Sequence, residues 1–365
     1  MFRIPFGENQ KIIMENPHSK HNYFAWPTVT RLQNGKIAVV ASGYRLRHIC
    51  PFGKMVISYS ENEGETYTAP APIIDTPLDD RDGGILAFGE KEVIVTSFTN
   101  TVEFQRKRKS ADAYNHAYLD KVTFEEEEKY LGPTFRISHD CGVTFDKEVY
   151  ISPVTSPHGP CELPDGSVLW VGRISNRRTD FAAPEMNRLC AYKINTDGSS
   201  EYVGSIENVI EDDGTVLDFY EPHAVALENG KIICHIRTER GGEDKRKFTV
   251  YQTESDDGGR TWTKPHQILS RLGGSPPHIL KAKSGMLVMS YAYREDPSSV
   301  KVAFSNDGGE TWDTDHVIYV NGKGWDMGYP ATVELNDGSF LTVFYAHPEE
   351  DDPAVIMQQK WKLEN

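Results

Sequence analysis

Short apolar runs recur along the chain in pairs, and a turn built on glycine separates the two members of each pair. The first pair opens at Phe24-Ala25-Trp26-Pro27, turns at Asn34-Gly35 and closes at Ser42-Gly43-Tyr44-Arg45. A second runs from Arg81-Asp82-Gly83-Gly84 through Gly89-Glu90 to Ser97-Phe98, and a third from Ser156-Pro157-His158 through Asp165-Gly166 to Gly172-Arg173. The fourth runs from Tyr220-Glu221-Pro222-His223 through Asn229-Gly230 to Ile236-Arg237. The fifth joins Pro276-Pro277-His278 to Tyr293-Arg294 through Ser284-Gly285, and the last joins Gly328-Tyr329-Pro330 to Tyr345-Ala346-His347 through Asp337-Gly338. Asn-Gly or Asp-Gly between apolar runs is the strongest short-range signal of a β-hairpin. Six hairpins spaced about 50 to 75 residues apart leave room for four strands each, which is the blade of a β-propeller.

A second repeat lies over the first. Ser305-Asn306-Asp307-Gly308-Gly309-Glu310-Thr311-Trp312 recurs as Ser255-Asp256-Asp257-Gly258-Gly259-Arg260-Thr261-Trp262 and as Ser138-His139-Asp140-Cys141-Gly142-Val143-Thr144-Phe145. A looser copy is Ser60-Glu61-Asn62-Glu63-Gly64-Glu65-Thr66-Tyr67, and Asn195-Thr196-Asp197-Gly198 is a remnant. Asp or Asn folds its side chain onto nearby backbone N–H groups, Gly takes the positive φ of the turn, and the aromatic ring packs on the sheet. These turns are expected between the third and fourth strands of their blades. Lys11–Glu15 is expected to pair beside Ala354–Trp361 and close the ring, leaving no open sheet edge. The prediction is a single all-β domain over 1–365, a six-bladed β-propeller with Asp-box repeats. The stretch from about 99 to 130, with Arg106-Lys107-Arg108-Lys109 and Glu125-Glu126-Glu127-Glu128, breaks the period as an insertion: a solvated loop, a lid or a dimer contact.

Charge narrows the function. A net charge of −15 and a pI near 5.3 exclude a nucleic-acid binder and a membrane-surface protein, both of which need basic surface. Five scattered cysteines with no CxxC spacing suit free thiols in a reducing compartment. Met1–Glu8 shows no apolar leader, which predicts a cytoplasmic protein, or a secreted one from which a leader has been removed. No cofactor and no metal are expected. A homo-oligomer is compatible with the sequence.

In a propeller the inner strand begins, and the second strand ends, at one central funnel. The hairpin ends therefore bring together Trp26, Arg45, His48, Asp82, Arg81, Glu221, His223, Arg237, His278, Arg294 and Tyr329, a set that is exposed unless paired and predicts a small-molecule or glycan site. Clustered arginines suit capture of a carboxylate, sulfate or phosphate. A Tyr beside a Glu among arginines is an activated nucleophile, because the Glu takes the phenolic proton.

These residues resemble the sialidase (neuraminidase) superfamily, six-bladed propellers with repeated Asp boxes, over essentially the whole chain. The resemblance implies that Tyr329, in Gly328-Tyr329-Pro330-Ala331-Thr332, is the nucleophile, and that Glu221, in Tyr220-Glu221-Pro222-His223, is its partner. It implies that Arg237 and Arg294 are the second and third arginines of a carboxylate-binding triad. The first triad arginine has no counterpart, because Ala25 stands in its slot. The literal Phe2-Arg3-Ile4-Pro5, although it matches the family's opening tetrapeptide, has no hairpin at the right distance. The loop Arg45–Gly53, where the family places its acid/base Asp, holds no carboxylate, which leaves Asp82, Asp80 or His48 as the acid and Arg45, Arg47 or Arg81 as replacement anion contacts. The implied activity is exo-acting hydrolysis releasing a terminal, acidic sugar. Two alternatives stay open: a uronic-acid polysaccharide lyase using His223 or His278, and a non-catalytic carbohydrate-binding propeller.

Overall fold

The computed structural model describes residues 10–174, 188–239, 248–269, 274, 276–320 and 323–363. The tetrapeptide at 2–5 lies outside them. Six antiparallel sheets follow one another around an axis. Blade one is Tyr23–Arg31, Ile37–Arg45, Lys54–Ser60 and Ala71–Ile74; blade two is Arg81–Phe88, Glu92–Phe98, Pro133–Ser138 and Tyr150–Ile151. Blade three has an interrupted inner strand, Val154–Thr155 and Cys161–Glu162, then Val168–Ile174, Leu189–Ile194 and Ser200–Ile206. Blade four is Asp218–Ala226, Ile232–Glu239, Phe248–Ser255 and His266–Gln267, and blade five is His278–Lys281, Leu287–Tyr293, Ser299–Ser305 and Asp313–Val320. Blade six takes Gly328–Glu334, Phe340–Ala346 and Val355–Trp361 from the end of the chain and Gln10–Met14 from its start. That N-terminal strand pairs antiparallel with Val355–Trp361, Ile12 opposite Met357, and closes the ring as the sequence predicts.

The core is a series of layers between neighbouring blades. Val29, Val39 and Val56 of blade one meet Leu341, Val343 and Ile356 of blade six, and Phe304 of blade five meets Phe344 and Trp361 of blade six. Each such side chain stabilises the fold by about 1.5–3 kcal/mol when fully buried. The Asp boxes tie the same layers together from the rim. Asp257 accepts from the Thr261 backbone N–H at 2.9 Å and its hydroxyl at 2.7 Å, and Ser255 Oγ accepts from Gly259 N at 2.9 Å. The aromatic residue then reaches out: Trp312 Nε1 donates to Gln252 Oε1 of blade four at 2.9 Å, and Tyr67 Oη to Gln358 Oε1 of blade six at 2.7 Å. All of these sit on outer strands, far from the axis.

The insertion is helical rather than irregular. Val102–Arg106, Ala113–Leu119 and Phe124–Tyr130 are short helices capped by Thr101, Asp112 and the Thr123/Glu126 capping box. All five cysteines are free thiols, four of them buried. No helix among the described residues is long and apolar enough to cross a membrane.

Candidate active site

Four inner strands carry the same irregularity. Pairing jumps between Ala25 and Thr28, Arg81 and Gly84, Tyr220 and His223, and Gly328 and Ala331, so that two residues face one on the partner strand. The first residue of each bulge has a positive φ: Trp26 at 56°, Asp82 at 49°, Glu221 at 46° and Tyr329 at 51°. None is glycine, and each left-handed residue costs roughly 1–2 kcal/mol. Pro27, Pro222 and Pro330 follow three of them; a bulge leaves an N–H unpaired, so a residue without one fits there. Bulges re-aim side chains next to active sites, and here they turn Trp26, Asp82, Glu221 and Tyr329 toward one another at the funnel.

Tyr329 Oη donates to Glu221 Oε1 at 2.5 Å, across blades six and four. Arg237 Nη1 donates to the other oxygen at 2.6 Å, and Arg237 Nη2 meets Glu239 at 2.7 Å. Burial and the Glu221 charge push the Tyr329 phenol well above its ordinary pKa, so it rests protonated. Attack by its oxygen has to be coupled to proton transfer to Glu221, already in hydrogen-bonding contact. Arg294 stands 5.6 Å from the Tyr329 ring and donates through Nε to Met327 O, and Arg173 lies 4.0 Å over Tyr220. Asp82 is 8% exposed, and desolvation, offset in part by Arg81, pushes its carboxyl up to about 7. It is an acid that holds its proton near neutrality.

Two expected substrate ligands are turned inward. Arg45 is fully buried and meets Asp79, also fully buried, at 2.6 Å. Arg81 approaches the same carboxylate at 3.7 Å and lies 4.2 Å over the Trp26 ring. Asp79 takes a third contact from Gln105 of the insertion at 2.9 Å. Arg45 therefore does not serve as an anion contact, and Trp26, 1% exposed, supports the floor from below. Asp80, the alternative acid, is sealed in blade one's outer loop, where it accepts from Thr76 N at 2.7 Å and Thr76 Oγ1 at 3.0 Å. Burial leads these influences and pushes its carboxyl up to about 8.

His48 sits at the rim with Nδ1 3.0 Å from Asp326. Asp326 also accepts from Tyr23 at 2.8 Å, Tyr345 at 3.0 Å and His347 at 3.3 Å. Burial works against its ionisation, but the bonds from His347, His48 and Tyr23 outweigh it and hold the carboxyl well below the usual range. Burial lowers His48, while the bond to Asp326 raises His347.

His223 and His278 lie a layer below, stacked at 4.5 Å, with His158 5.2 Å from His278. His223 Nδ1 accepts from Ile279 N of blade five at 3.0 Å and His278 Nδ1 from Thr332 N of blade six at 3.4 Å, so each cross-links neighbouring blades. They line a cavity of about 350 Å³ toward the far ends of the inner strands, beside Arg31 and Lys281, rather than the funnel. The structure thus moves both from substrate contact to blade contact. No group of three or more His, Cys, Asp or Glu among the described residues is placed to hold a metal ion.

The histidines set a pH limit on the fold. Burial pushes His158, His223 and His278 well below their ordinary pKa. The unfolded chain takes up these protons below about 6.5 and the folded chain does not, so stability is lost as pH falls. Asp80 and Asp82 act with the opposite sign: the unfolded chain releases these protons above about 4 and the folded chain only through about 8 and about 7, so their contribution is lost as pH rises across that window. Thermal melts are expected to peak between about pH 6.5 and 7, and His278→Gln, which keeps an acceptor for Thr332 N, to flatten the acid side. A wild-type Tm that stays constant from pH 7 to 5 would contradict the argument.

Among known families, a BNR repeat-like domain model matches residues 192–342. Comparison with curated proteins gives no match. Among solved structures, a protein of unknown function from Dyadobacter fermentans is 18% identical with a TM-score of 0.74, covering 99% of both chains. A Streptococcus pneumoniae NanB sialidase is 14% identical at TM-score 0.65, over 98% of this chain and 71% of its own. The Ruminococcus gnavus intramolecular trans-sialidase is 11% identical at TM-score 0.64, over 97% of both. At these identities the likeness is one of fold.

Proposed function

We propose that this chain, a six-bladed propeller of the sialidase type, is an exo-acting glycoside hydrolase that releases a terminal sugar from a glycan. The observation that carries the reading is the 2.5 Å bond from Tyr329 to Glu221, with Arg237 on the second Glu221 oxygen. Tyr329 attacks the anomeric carbon and passes its proton to Glu221. Asp82 protonates the leaving oxygen. Water then attacks the glycosyl-tyrosine, with Asp82 taking its proton and Glu221 returning one to the phenol. With Ala25 and Arg45 out of the funnel, Arg294 and Arg237 are left to hold an acidic sugar. Hydrolysis of a fluorogenic sialoside, a glucuronide and neutral aryl glycosides tests the activity; cleavage of none by wild type sinks it.

The acid assignment makes its own prediction. Since Asp82 must be protonated to act and its carboxyl lies at about 7, activity is expected to fall as pH rises through that value. Asp82→Asn is expected to lose about 10²–10⁴-fold in kcat on poor leaving groups and to remove the alkaline limb. An unaltered alkaline limb in the variant would place the acid elsewhere.

A further inference from the structure

The corner around Asp326 has features that the reacting pair does not use. Trp325 is 56% exposed, whereas Trp26, Trp170 and Trp361 are all at or below 4%. Its ring stands 6.1 Å from that of His48. An indole left in water beside a polar cleft forgoes a large burial gain, and the apolar face of a sugar ring is a surface it can pack against. The platform is fixed rather than loose. Asp326, the next residue, is anchored by Tyr23, Tyr345, His48 and His347. Trp325 O accepts from Met327 N at 2.9 Å, and Met327 O from Arg294 Nε at 2.9 Å.

His48 is held from two sides. Its Nδ1 faces Asp326, and the side chain is 36% exposed, with no partner on Nε2 among the described residues. Behind it the insertion braces the loop: Arg47 binds Asp112 at 2.8 Å, and Phe52 packs on Tyr114 and Tyr118 at 4.8 and 4.7 Å. From the nucleophile outward, the rings of Tyr329, Trp26, His48 and Trp325 follow at centroid steps of 6.4, 5.0 and 6.1 Å. Ring contacts thus link the reacting pair to the exposed indole.

We propose that Trp325 and His48 form a second sugar subsite beside the reacting one, so that the ligand is a glycan of two or more units. The penultimate ring packs on Trp325, and one of its hydroxyls donates to His48 Nε2. Which end of the glycan lies there rests on the hydrolase reading; the binding itself does not.

The test is a binding titration in the Tyr329→Phe background, which prevents turnover. The probes are di- to tetrasaccharides with sialic acid, uronic acid and neutral chain ends, each beside its terminal monosaccharide. At least one oligosaccharide is expected to bind more tightly than its monosaccharide and to shield tryptophan fluorescence from iodide. Trp325→Ala is expected to weaken that oligosaccharide about tenfold, more than the monosaccharide, with Trp325→Phe restoring much of the loss. Equal oligosaccharide affinity with and without the Trp325 ring overturns the subsite, as does a panel in which no oligosaccharide outbinds its monosaccharide. Binding as expected with no hydrolysis by wild type would instead sink the hydrolase reading and leave the subsite standing.

Discussion

Tyr329→Phe is expected to leave a folded propeller that turns over glycosides at least about 10³-fold more slowly than wild type, because the covalent step loses its only nucleophilic atom. The ring keeps its packing against Trp26 and Tyr345. What disappears is the donor to Glu221 Oε1, an oxygen that then has to find water. Arg237 stays on the other oxygen, so the cost to stability is that of one unpaired acceptor, about 1–3 kcal/mol. The expected signature is therefore a collapse in kcat with a modest fall in Tm. Glu221→Gln probes the same pair from the other side: it keeps the contact to Tyr329 and removes the base. Assays with the fluorogenic sialoside and aryl glycosides check both. A Tyr329→Phe enzyme as active as wild type would mean that the phenol is a spectator and that water attacks directly.

Much of this site was readable because the signals are local. An Asp box needs eight residues and a hairpin needs a glycine turn, and these place the strands in register without any long-range information. The register brought Glu221 and Tyr329 to one end of blades four and six, and it exposed Ala25 where an arginine was expected. The Trp26-Pro27, Glu221-Pro222 and Tyr329-Pro330 dipeptides were also a readable sign of bulges, since a proline early in a strand has to sit where no ladder bond is needed. The insertion's helices carry their start signals in Thr101, Asp112 and Thr123-x-x-Glu126, which lie beside the charge runs.

What could not be read is the depth of each charge. Leu78-Asp79-Asp80-Arg81-Asp82 puts three acids in four positions across the start of Arg81–Phe88. No strand alternation is established there to say which carboxylate points at Arg45, which at Thr76 and which into the funnel. Arg45 ends its strand and Arg237 lies two residues before the end of its own, but Arg45 meets a buried carboxylate where Arg237 meets Glu221. Asp326 opens the last hairpin at the funnel, but its partners were equally hidden, because its four donors come from three separate stretches of chain: Tyr23, His48, and Tyr345 with His347. Such contacts depend on tertiary distance, which spacing along the chain does not encode.

Asp79→Ala is expected to cost the fold about 3–5 kcal/mol, the range for removing one partner of a buried ion pair. Arg45 and Asp79 are both fully buried, so the pair lies out of reach of bulk solvent. Burial works against the Arg45 cation, but Asp79 outweighs it and holds its pKa above the ordinary value. Without that carboxylate the guanidinium is left with the carbonyls of Arg47, His48 and Asp80 and the Ser42 hydroxyl. Gly53 closes off the escape route: a Cβ there would come within 2.0 Å of Arg45 Nη1 and 2.5 Å of Asp79 Oδ1, so the pair is packed against bare backbone. The same substitution cuts the insertion loose at Gln105 and frees Arg81 above Trp26. Activity is therefore expected to fall together with stability. Urea unfolding measures the loss, and the double variant Asp79→Ala/Arg45→Met separates its causes. Since exchanging a buried pair for apolar groups of similar size is often neutral, the double variant is expected to regain most of the stability. It should not regain activity, because Arg81 and the insertion still lack their anchor. A single-variant loss below about 1 kcal/mol would show that the Arg45 charge reaches solvent after all.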